Sequence, residues 1–417
     1  MKLKNNILIL FFLLTYLVAK PQLQSTSGAR NEAIRLIQEG DNFLRYANWD
    51  QALIIYTRAI NTDINYANSY MKRATLNARL GKTSEALSYY NRAITLNPYS
   101  EYIYDKRAKI KMIAMDYKGA INDINKAISI NPVNNELLDH RAEDFITIGQ
   151  YEKALEDIDT LIKRNYNVEY IYQKKALIYL LKDDINNSLL YIDSALIINN
   201  SSSLAFDILG VIYLKKEEYE EAINAFKKAT SINPEFAIAY YNMGLAYRYL
   251  KNPIEATKNL NKAIMISHDI PNIYFTRALV RKELGDLEGA IADYDKAISS
   301  DKNYTKALYN RAYSFKLMGN YTNALKDAES LIEISPENPE NWNLKGNIQL
   351  LFGDYYDAIE SYSRAIDIKQ DYAEAYYNRA LTYLMTYRPA QGCDDLQTCL
   401  DFNYLKAQKV ITNFCGN

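Results

Sequence analysis

The feature that most constrains the fold of this chain is a pattern that recurs every 34 residues. One copy, residues 305–338, has an apolar stripe at Leu308, Ala312 and Phe315, then a break, then a second stripe that begins at Tyr321. Apolar residues three and four apart predict two amphipathic helices, and a proline then ends the second one because it lacks an N–H donor. A helix pair this short cannot bury its apolar face alone, so the recurrence predicts stacked neighbours.

Eleven copies follow one another without insertion. They span residues 33–66, 67–100, 101–134, 135–168, 169–202, 203–236, 237–270, 271–304, 305–338, 339–372 and 373–406. Position 8 of the copy is glycine or alanine in all eleven, and position 20 is alanine in nine. Small residues at regular positions predict close helix crossings, so we expect an all-α solenoid of antiparallel helix pairs. Residues 407–417 predict a C-terminal cap that covers the end of the stack.

The repeat resembles the tetratricopeptide repeat family over about nine tenths of the chain. The matching features are small residues at positions 8, 20 and 27, large apolar residues at positions 4, 11, 17 and 24, and proline at position 32. The resemblance implies a right-handed superhelix of helix pairs. It also implies that proteins or peptides bind along the concave surface, which positions 2, 5, 9 and 12 of the first helix line in that family.

The amino terminus differs in kind from the repeats. Lys2 and Lys4 precede an apolar run that starts at Ile7, and a Lys-Pro pair ends the segment, so residues 1–19 predict a signal peptide. A short uncleaved anchor is the alternative. Residues 20–32 predict a flexible leader. We therefore expect an exported protein that is periplasmic, secreted or envelope-associated.

Composition and motif content argue against several functions. The net charge of -1 gives no reason to expect a nucleic-acid partner, and membrane association is expected only through targeting or an uncleaved anchor. The two histidines, His140 and His268, occupy different positions of different copies and have no metal-ligand spacing. No phosphate-binding loop or nucleophile motif occurs. The sequence therefore predicts no enzyme activity, metal or cofactor.

Arginine at position 7 varies together with aspartate at position 23. Every copy with the aspartate also has the arginine, which predicts an ion pair between the two helices of one copy. The predicted pairs are Arg107 with Asp123, Arg141 with Asp157, Arg277 with Asp293, Arg311 with Asp327 and Arg379 with Asp395. We interpret them as structural.

All three cysteines lie near the carboxyl terminus, which suits an oxidising compartment. Cys393 and Cys399 are about 9 Å apart along one helix and cannot bond each other without distortion. If the chain turns back near Asn403, Cys415 comes level with Cys393. We predict a Cys393–Cys415 disulfide, with Cys399 buried.

The exposed face of the first helices changes character along the chain. Only copies seven to nine combine an aromatic residue at position 5 with a cation at position 12. The combinations are Tyr241 with Arg248, Phe275 with Lys282, and Tyr309 with Lys316. Rings beside cations predict a groove for an anionic or aromatic segment. The alternative is that the rings pack between helices and the cations are solvated. Asn242 and Asn310 at position 6 are candidates for holding a ligand backbone.

Together these patterns predict a non-catalytic scaffold or adaptor in an extracytoplasmic assembly, with other proteins or peptides as partners. The alternative is a ligand-binding module for an anionic polymer or envelope component, which would bind the basic aromatic groove of copies seven to nine. The fifth copy departs most from the pattern, with Asp183 and Ser188 where glycine and alanine are usual. We expect the weakest joint of the array, and a hinge, in that copy.

Overall fold

The computed structural model describes residues 27–415, and its regular structure within that range is entirely helical. The helices are α1 (Ser27–Arg45), α2 (Trp49–Thr62), α3 (Ala67–Arg79), α4 (Thr83–Leu96), α5 (Glu101–Ile113), α6 (Tyr117–Ile130), α7 (Asn135–Thr147), α8 (Tyr151–Lys163), α9 (Val168–Leu181), α10 (Ile185–Ile198), α11 (Ser203–Lys215), α12 (Tyr219–Ile232), α13 (Ala237–Tyr249), α14 (Pro253–Ile266), α15 (Pro271–Glu283), α16 (Leu287–Ser300), α17 (Thr305–Leu317), α18 (Tyr321–Ile334), α19 (Pro339–Phe352), α20 (Tyr355–Ile368), α21 (Ala373–Met385), α22 (Pro389–Asp401) and α23 (Lys406–Phe414). The predicted signal segment, residues 1–19, lies outside the described residues.

Odd-numbered helices from α1 to α21 are the first helices of the eleven copies, here called A helices, and even-numbered ones are the second, or B, helices. The chain forms two compact units that divide between Asp184 and Ile185, inside the fifth copy. Within each unit successive helices pack on one another, as expected for an α-solenoid. The predicted hinge in this copy stays a prediction.

The turn between the A and B helices passes through a left-handed backbone conformation at position 15 in all eleven copies. Glycine occupies this position in five copies, with φ between 73° and 98°. The other six copies place a side chain there, with φ between 54° and 65°, at Ala47, Met115, Asp183, Glu217, Lys251 and Tyr387. The fold thus imposes the same turn on residues that favour it and on residues that do not.

Close helix crossing explains the small residues at position 8. A Cβ added at Gly210 would lie 2.4 Å from the Phe226 ring, and one added at Gly346 would lie 2.6 Å from the Tyr362 ring. Because the small residue leaves room for a large one at position 24 of the B helix, the rings of Tyr90, Tyr294 and Tyr362 are all buried there. These tyrosines are therefore core residues.

The prediction of a flexible leader over residues 20–32 is wrong for its last six residues. Helix α1 begins at Ser27, ahead of the first predicted copy. Its first turns are held by Arg30, whose guanidinium bonds Asp63 at 2.5 Å and lies 4.4 Å from the centre of the Tyr66 ring. Both partners lie in the loop that follows α2, so the extension lengthens the first helix and packs against the end of its own copy.

The carboxyl terminus is closed by a short amphipathic helix, α23. Cys393 on α22 and Cys415 just after α23 form a disulfide with a Cα–Cα distance of 5.8 Å. Cys399 is fully buried, and its thiol lies 3.4 Å from the carbonyl oxygen of Ala373. The bridge closes the chain over a sequence separation of 22 residues, which ties the last helix to the last repeat.

Candidate partner-binding face

Arginine at position 7 and aspartate at position 23 meet in each of the five copies where the sequence pairs them. In the ninth copy, Arg311 Nε and Nη2 donate to the two carboxylate oxygens of Asp327 at 2.8 and 2.6 Å. The same two-pronged contact forms at Arg107, Arg141, Arg277 and Arg379. Both side chains are largely buried, and a fork of two parallel hydrogen bonds fixes the angle between the helices. These residues are occupied in holding the fold.

The same arginines also reach the preceding copy, which the sequence reasoning missed. The third nitrogen, Nη1, donates to a side chain at position 25 of that copy: Asn125 at 2.7 Å for Arg141, and Asp295 at 2.6 Å for Arg311. Lysine substitutes at Lys175, which bonds Asp159. The sequence does contain a signal for this contact between copies. The seventh copy has methionine instead of arginine at position 7, and the copy before it has a cation, Lys227, at position 25, where an arginine would meet a like charge. Each arginine is therefore a clasp between copies as well as within one.

The face of the A helices formed by positions 2, 5, 9 and 12, here called the A-helix face, is charge-paired in the first unit. Lys174 Nζ donates to Asp139 at 2.5 Å and to Glu143 at 2.7 Å. His140 Nδ1 lies 2.7 Å from Asp105 Oδ1, and its Nε2 lies 3.1 Å from Lys109 Nζ. Position 6 of one copy thus bridges positions 5 and 9 of the copy before it. The charges at positions 5 and 9 of this stretch are satisfied by their neighbours, whereas the exposed Glu136 at position 2 forms no ion pair within residues 27–415.

The aromatic residues at position 5 of the second unit are partly built into the core. Phe275 packs on Tyr294 and Tyr304, with ring centres 6.0 and 5.2 Å apart. Tyr241 lies against the apolar cluster around Leu260, and Tyr309 against the cluster around Leu331. The alternative interpretation, in which the rings pack between helices, therefore describes Phe275 and Tyr241 well, whereas Tyr309 also lines an open cleft.

The cations at position 12 are partly buried rather than solvated, and they differ in their partners. Arg248 is engaged by Glu283, with Nη2 to Oε1 at 2.6 Å. Lys282 donates to the amide oxygen of Asn310 at 2.7 Å. Lys316 lies over the Tyr313 ring, 4.2 Å from its centre, and Lys282 lies 5.6 Å from the same ring. In residues 27–415, neither lysine forms an ion pair with a carboxylate.

Burial lowers the pKa of both lysines. For Lys282, loss of water is the main cause, and the Arg248 charge adds to it while Glu283 opposes it. For Lys316, loss of water again dominates and the Glu374 carboxylate opposes it. A half-buried ammonium without a counter-ion is electrostatically unsatisfied, so a ligand anion at this place would gain from pairing with it.

The two asparagines singled out by the sequence are already engaged. Asn242 is buried and its amide donates to Asp207 at 3.0 Å. Asn310 accepts from Lys282 and donates to the Lys306 carbonyl at 2.9 Å. Because Asn242 is buried and bonded to Asp207, it is not available to hold a ligand backbone. Asn310 stays at the cleft and orients a lysine there.

Three residues of this face were missed from the sequence. Tyr313 at position 9 is 36% exposed and lies between the two lysines. Glu340 and Glu374, at position 2 of the last two copies, are exposed, and no ion pair engages either one within the part of the chain that the structure describes. A cleft of about 250 Å³ is lined by Lys306, Tyr309, Asn310, Asn338, Glu340 and Asn341. Tyr313, Glu340 and Glu374 share one feature in the sequence, which is that each occupies position 2 or 9. The prediction of the groove considered aromatic residues only at position 5.

No group of histidine, cysteine, aspartate and glutamate side chains in residues 27–415 could hold a metal ion. None of the helices there is long and apolar enough to cross a membrane.

Comparisons with known proteins agree with this architecture. A family model described as "TPR repeat" matches residues 210–248, 278–319 and 346–386. Two models described as "Tetratricopeptide repeat" match residues 67–100 with 237–269, and residues 306–338. Among curated proteins, the DnaJ homolog subfamily C member 7 homolog of Schizosaccharomyces pombe is 39% identical over 77 residues, which cover 17% of this chain and 16% of that protein.

Solved structures with similar chains are more distant in sequence. YrrB, described as a TPR protein with an unusual peptide-binding site, is 21% identical with a TM-score of 0.40 and covers 44% of this chain and 95% of its own. PilF of Pseudomonas aeruginosa is 18% identical with a TM-score of 0.45 and covers 50% of this chain and 95% of its own. The in-register copies, the helix pairs and the matched family models together show that this chain belongs to the tetratricopeptide repeat family.

Proposed function

We propose that this chain is a non-catalytic scaffold that binds an extended protein segment on the A-helix face of its second unit and works outside the cytoplasm. Tetratricopeptide repeat proteins bind other proteins or peptides and are generally non-catalytic, which supports the first half of the proposal. The residues expected to contact the partner are Tyr309, Tyr313, Lys282 and Lys316, with Arg248 at the margin.

One observation carries the proposal: Lys282 and Lys316 flank an exposed tyrosine ring and lack a carboxylate partner. Most of the partly buried cations in residues 27–415 form ion pairs, as Arg311 and Lys174 do. The other exceptions there are Arg73, Lys262 and Arg388, each of which lies against a tyrosine ring. An unpaired exception costs stability, and a binding site is a common place for such an exception. An acidic or aromatic side chain of a partner would supply the missing charge and stack on the ring.

The extracytoplasmic location rests on two supports. Residues 1–19 have the layout of a secretory signal. The Cys393–Cys415 disulfide is of a kind that persists in oxidising compartments. Cell fractionation with an antibody, followed by alkylation and mass spectrometry of the two cysteines, tests this half. Recovery of the full-length chain with both thiols free in the cytosolic fraction would refute it.

An anionic polymer or envelope component is the second candidate ligand for the same face. Three cations recur at the same position of three successive copies, which is the observation in its favour. However, Glu283 already neutralises Arg248, and this leaves two cations rather than a row. Binding of a repeating polyanion would weaken steeply with salt, whereas stacking and backbone contacts to a peptide would leave much of the affinity at high salt.

The experiment that tests binding is peptide selection on the full-length protein. A segment of about 12 residues, fully extended, spans about 40 Å, which is enough to cross four neighbouring A helices. We expect selected peptides to lose affinity for the Lys282→Ser/Lys316→Ser variant. The matched control is Lys296→Ser/Lys326→Ser, which removes the same charge from exposed sites on B helices. Equal loss in both variants, or none in either, would contradict the assignment of the site.

A further inference from the structure

The A-helix face of copies nine to eleven carries both signs of charge with a gap between them. Lys316 lies towards the carboxyl end of α17, and Glu340 and Glu374 lie in the first turns of α19 and α21. Positions 2 and 12 of one helix are about 15 Å apart along its axis, so Lys316 lies at one edge of the face. Glu340 and Glu374 lie at the other edge, where the exposed Lys306 also occupies position 2.

Tyrosines fill the space between these charges. Burial raises the pKa of Tyr309, and the carboxylates of Glu340 and Glu374 raise it further, so both acids lie within electrostatic reach of its hydroxyl. The same two carboxylates also act on half-buried Tyr372, whose hydroxyl accepts a bond from Asn343 at 3.3 Å. Tyr313 continues the aromatic floor towards Lys316.

The opposite charges do not neutralise each other. Lys316 and Glu374 are close enough to influence one another, because the Glu374 charge partly restores the pKa that burial lowers at Lys316. Yet no ion pair joins them anywhere in residues 27–415, and Lys306 and Glu340 line one cleft without pairing. An open gap between unpaired charges of opposite sign is complementary to a ligand that carries the reverse order of charges.

We propose that the segment bound here is bipolar, with an acidic side chain that pairs with Lys316 and a basic side chain that pairs with Glu340 and Glu374. This inference rests on the proposed function and specifies its partner. A purely acidic segment satisfies the lysines but meets repulsion at the two glutamates. A purely basic segment pairs with the two glutamates but is repelled by the lysines. Only a segment with both charges, at a spacing that matches the gap, satisfies the whole face.

The test uses end-blocked peptides of about 12 residues with a neutral fluorophore and a common background of tyrosine, serine and asparagine. One set carries an aspartate and an arginine separated by spacers of increasing length, in both orders, and two others carry only aspartates or only arginines. Fluorescence anisotropy with the full-length protein gives each Kd. We expect one bipolar peptide to bind about tenfold tighter than either single-sign peptide.

Charge reversal then switches the preference. In Glu340→Lys/Glu374→Lys the aspartate-only peptide should become the tightest ligand, and in Lys316→Glu the arginine-only peptide should. The control, Glu333→Lys/Glu360→Lys, makes the same change of net charge on exposed B-helix positions and should leave the order intact. All these sites are exposed or partly buried, and circular dichroism verifies folding.

The outcomes separate the two proposals. If peptides bind at Lys282 and Lys316 but the bipolar ones hold no advantage at any spacing, the inference fails and the proposed function stands. A preference that moves no more in Glu340→Lys/Glu374→Lys than in the control also overturns the inference. If no peptide of any charge pattern binds, both proposals fall.

Discussion

Asp139 and Glu143 in the first unit share the ammonium of Lys174, whereas Lys282 and Lys316 in the second unit meet an amide and a tyrosine ring. Both sets lie on the A-helix face and both are held by the same repeated backbone. In the first unit, the charges at positions 5 and 9 of this face form contacts between neighbouring copies. In the second unit, charge is left over. If the proposed site binds a partner, the copies that leave their charges unpaired determine where such an array binds.

The largest expected effect concerns what the two units share, the arginine clasp. Arg141→Met in the first unit and Arg311→Met in the second should each lower the free energy of unfolding by about 3 kcal/mol, because each leaves a buried aspartate without its counter-ion. Urea unfolding, with hydrogen exchange to locate the loss, measures both. Adding Asp327→Leu to Arg311→Met should recover much of the loss; if the two effects simply add, the residues are not coupled.

A smaller effect should distinguish the units. Lys174→Met removes the cation shared by two carboxylates, and we expect a loss of about 2 kcal/mol. Burial tends to lower the pKa of Lys174, but the bonds to Asp139 and Glu143 outweigh it and raise the pKa. Lys282→Met is the matched change in the second unit, where the pKa is lowered, and it should be neutral or stabilising. Thermal unfolding of both variants decides; equal losses would contradict the comparison.

The helix pairs and the clasp could be predicted from the sequence because both repeat. Eleven copies supply internal covariation, and this linked Arg311 to Asp327 without a structure. The A-helix face could be predicted only in part, since its contacts join residues of different copies that differ in identity. That Glu283 engages Arg248, or that Lys282 and Lys316 converge on Tyr313, depends on side-chain reach across the helix spacing. The true start of α1 escaped prediction because its first turn lacks the repeat pattern.

Two aspartates at position 5, Asp105 and Asp207, have pKa values shifted in opposite directions. Burial tends to raise the pKa of Asp105, but His140, Lys109 and Lys106 outweigh it and the pKa is lowered. Burial raises the pKa of Asp207 to about 6, and only a bond from Asn242 opposes it. The folded state therefore favours the protonated form of Asp207. Its contribution to the free energy of unfolding is fully present below the unfolded pKa of 3.8 and is lost as pH rises through about 6, where the carboxyl ionises.

Asp207→Asn should accordingly raise the free energy of unfolding by on the order of 2 kcal/mol at pH 7.5, with the gain vanishing near pH 4. Asp105→Asn should do the reverse and destabilise at neutral pH, because the lowered pKa of Asp105 adds stability above its unfolded pKa. Urea midpoints across the pH range measure both. A pH-independent gain at Asp207 would show that packing, not ionisation, governs that site.

The smallest expected effect concerns the turn between the A and B helices, which has the same conformation in both units. It tests whether the units differ only in the charges of the A-helix face or also in their backbone. Met115 and Lys251 both adopt φ near 60° at position 15, a conformation that costs an L-residue about 1 kcal/mol. Met115→Gly and Lys251→Gly should each raise the free energy of unfolding by about 0.5 kcal/mol. Removing the backbone strain stabilises the fold, but the greater conformational freedom of glycine in the unfolded chain offsets part of that gain. Gly319→Ala is the control, since its Cβ would meet nothing within 4 Å and only the backbone is strained. Calorimetry should show gains in stability of similar size in the two units and a loss of stability for the control. Unequal gains would mean that the units differ in their backbone as well as in the charges of the A-helix face.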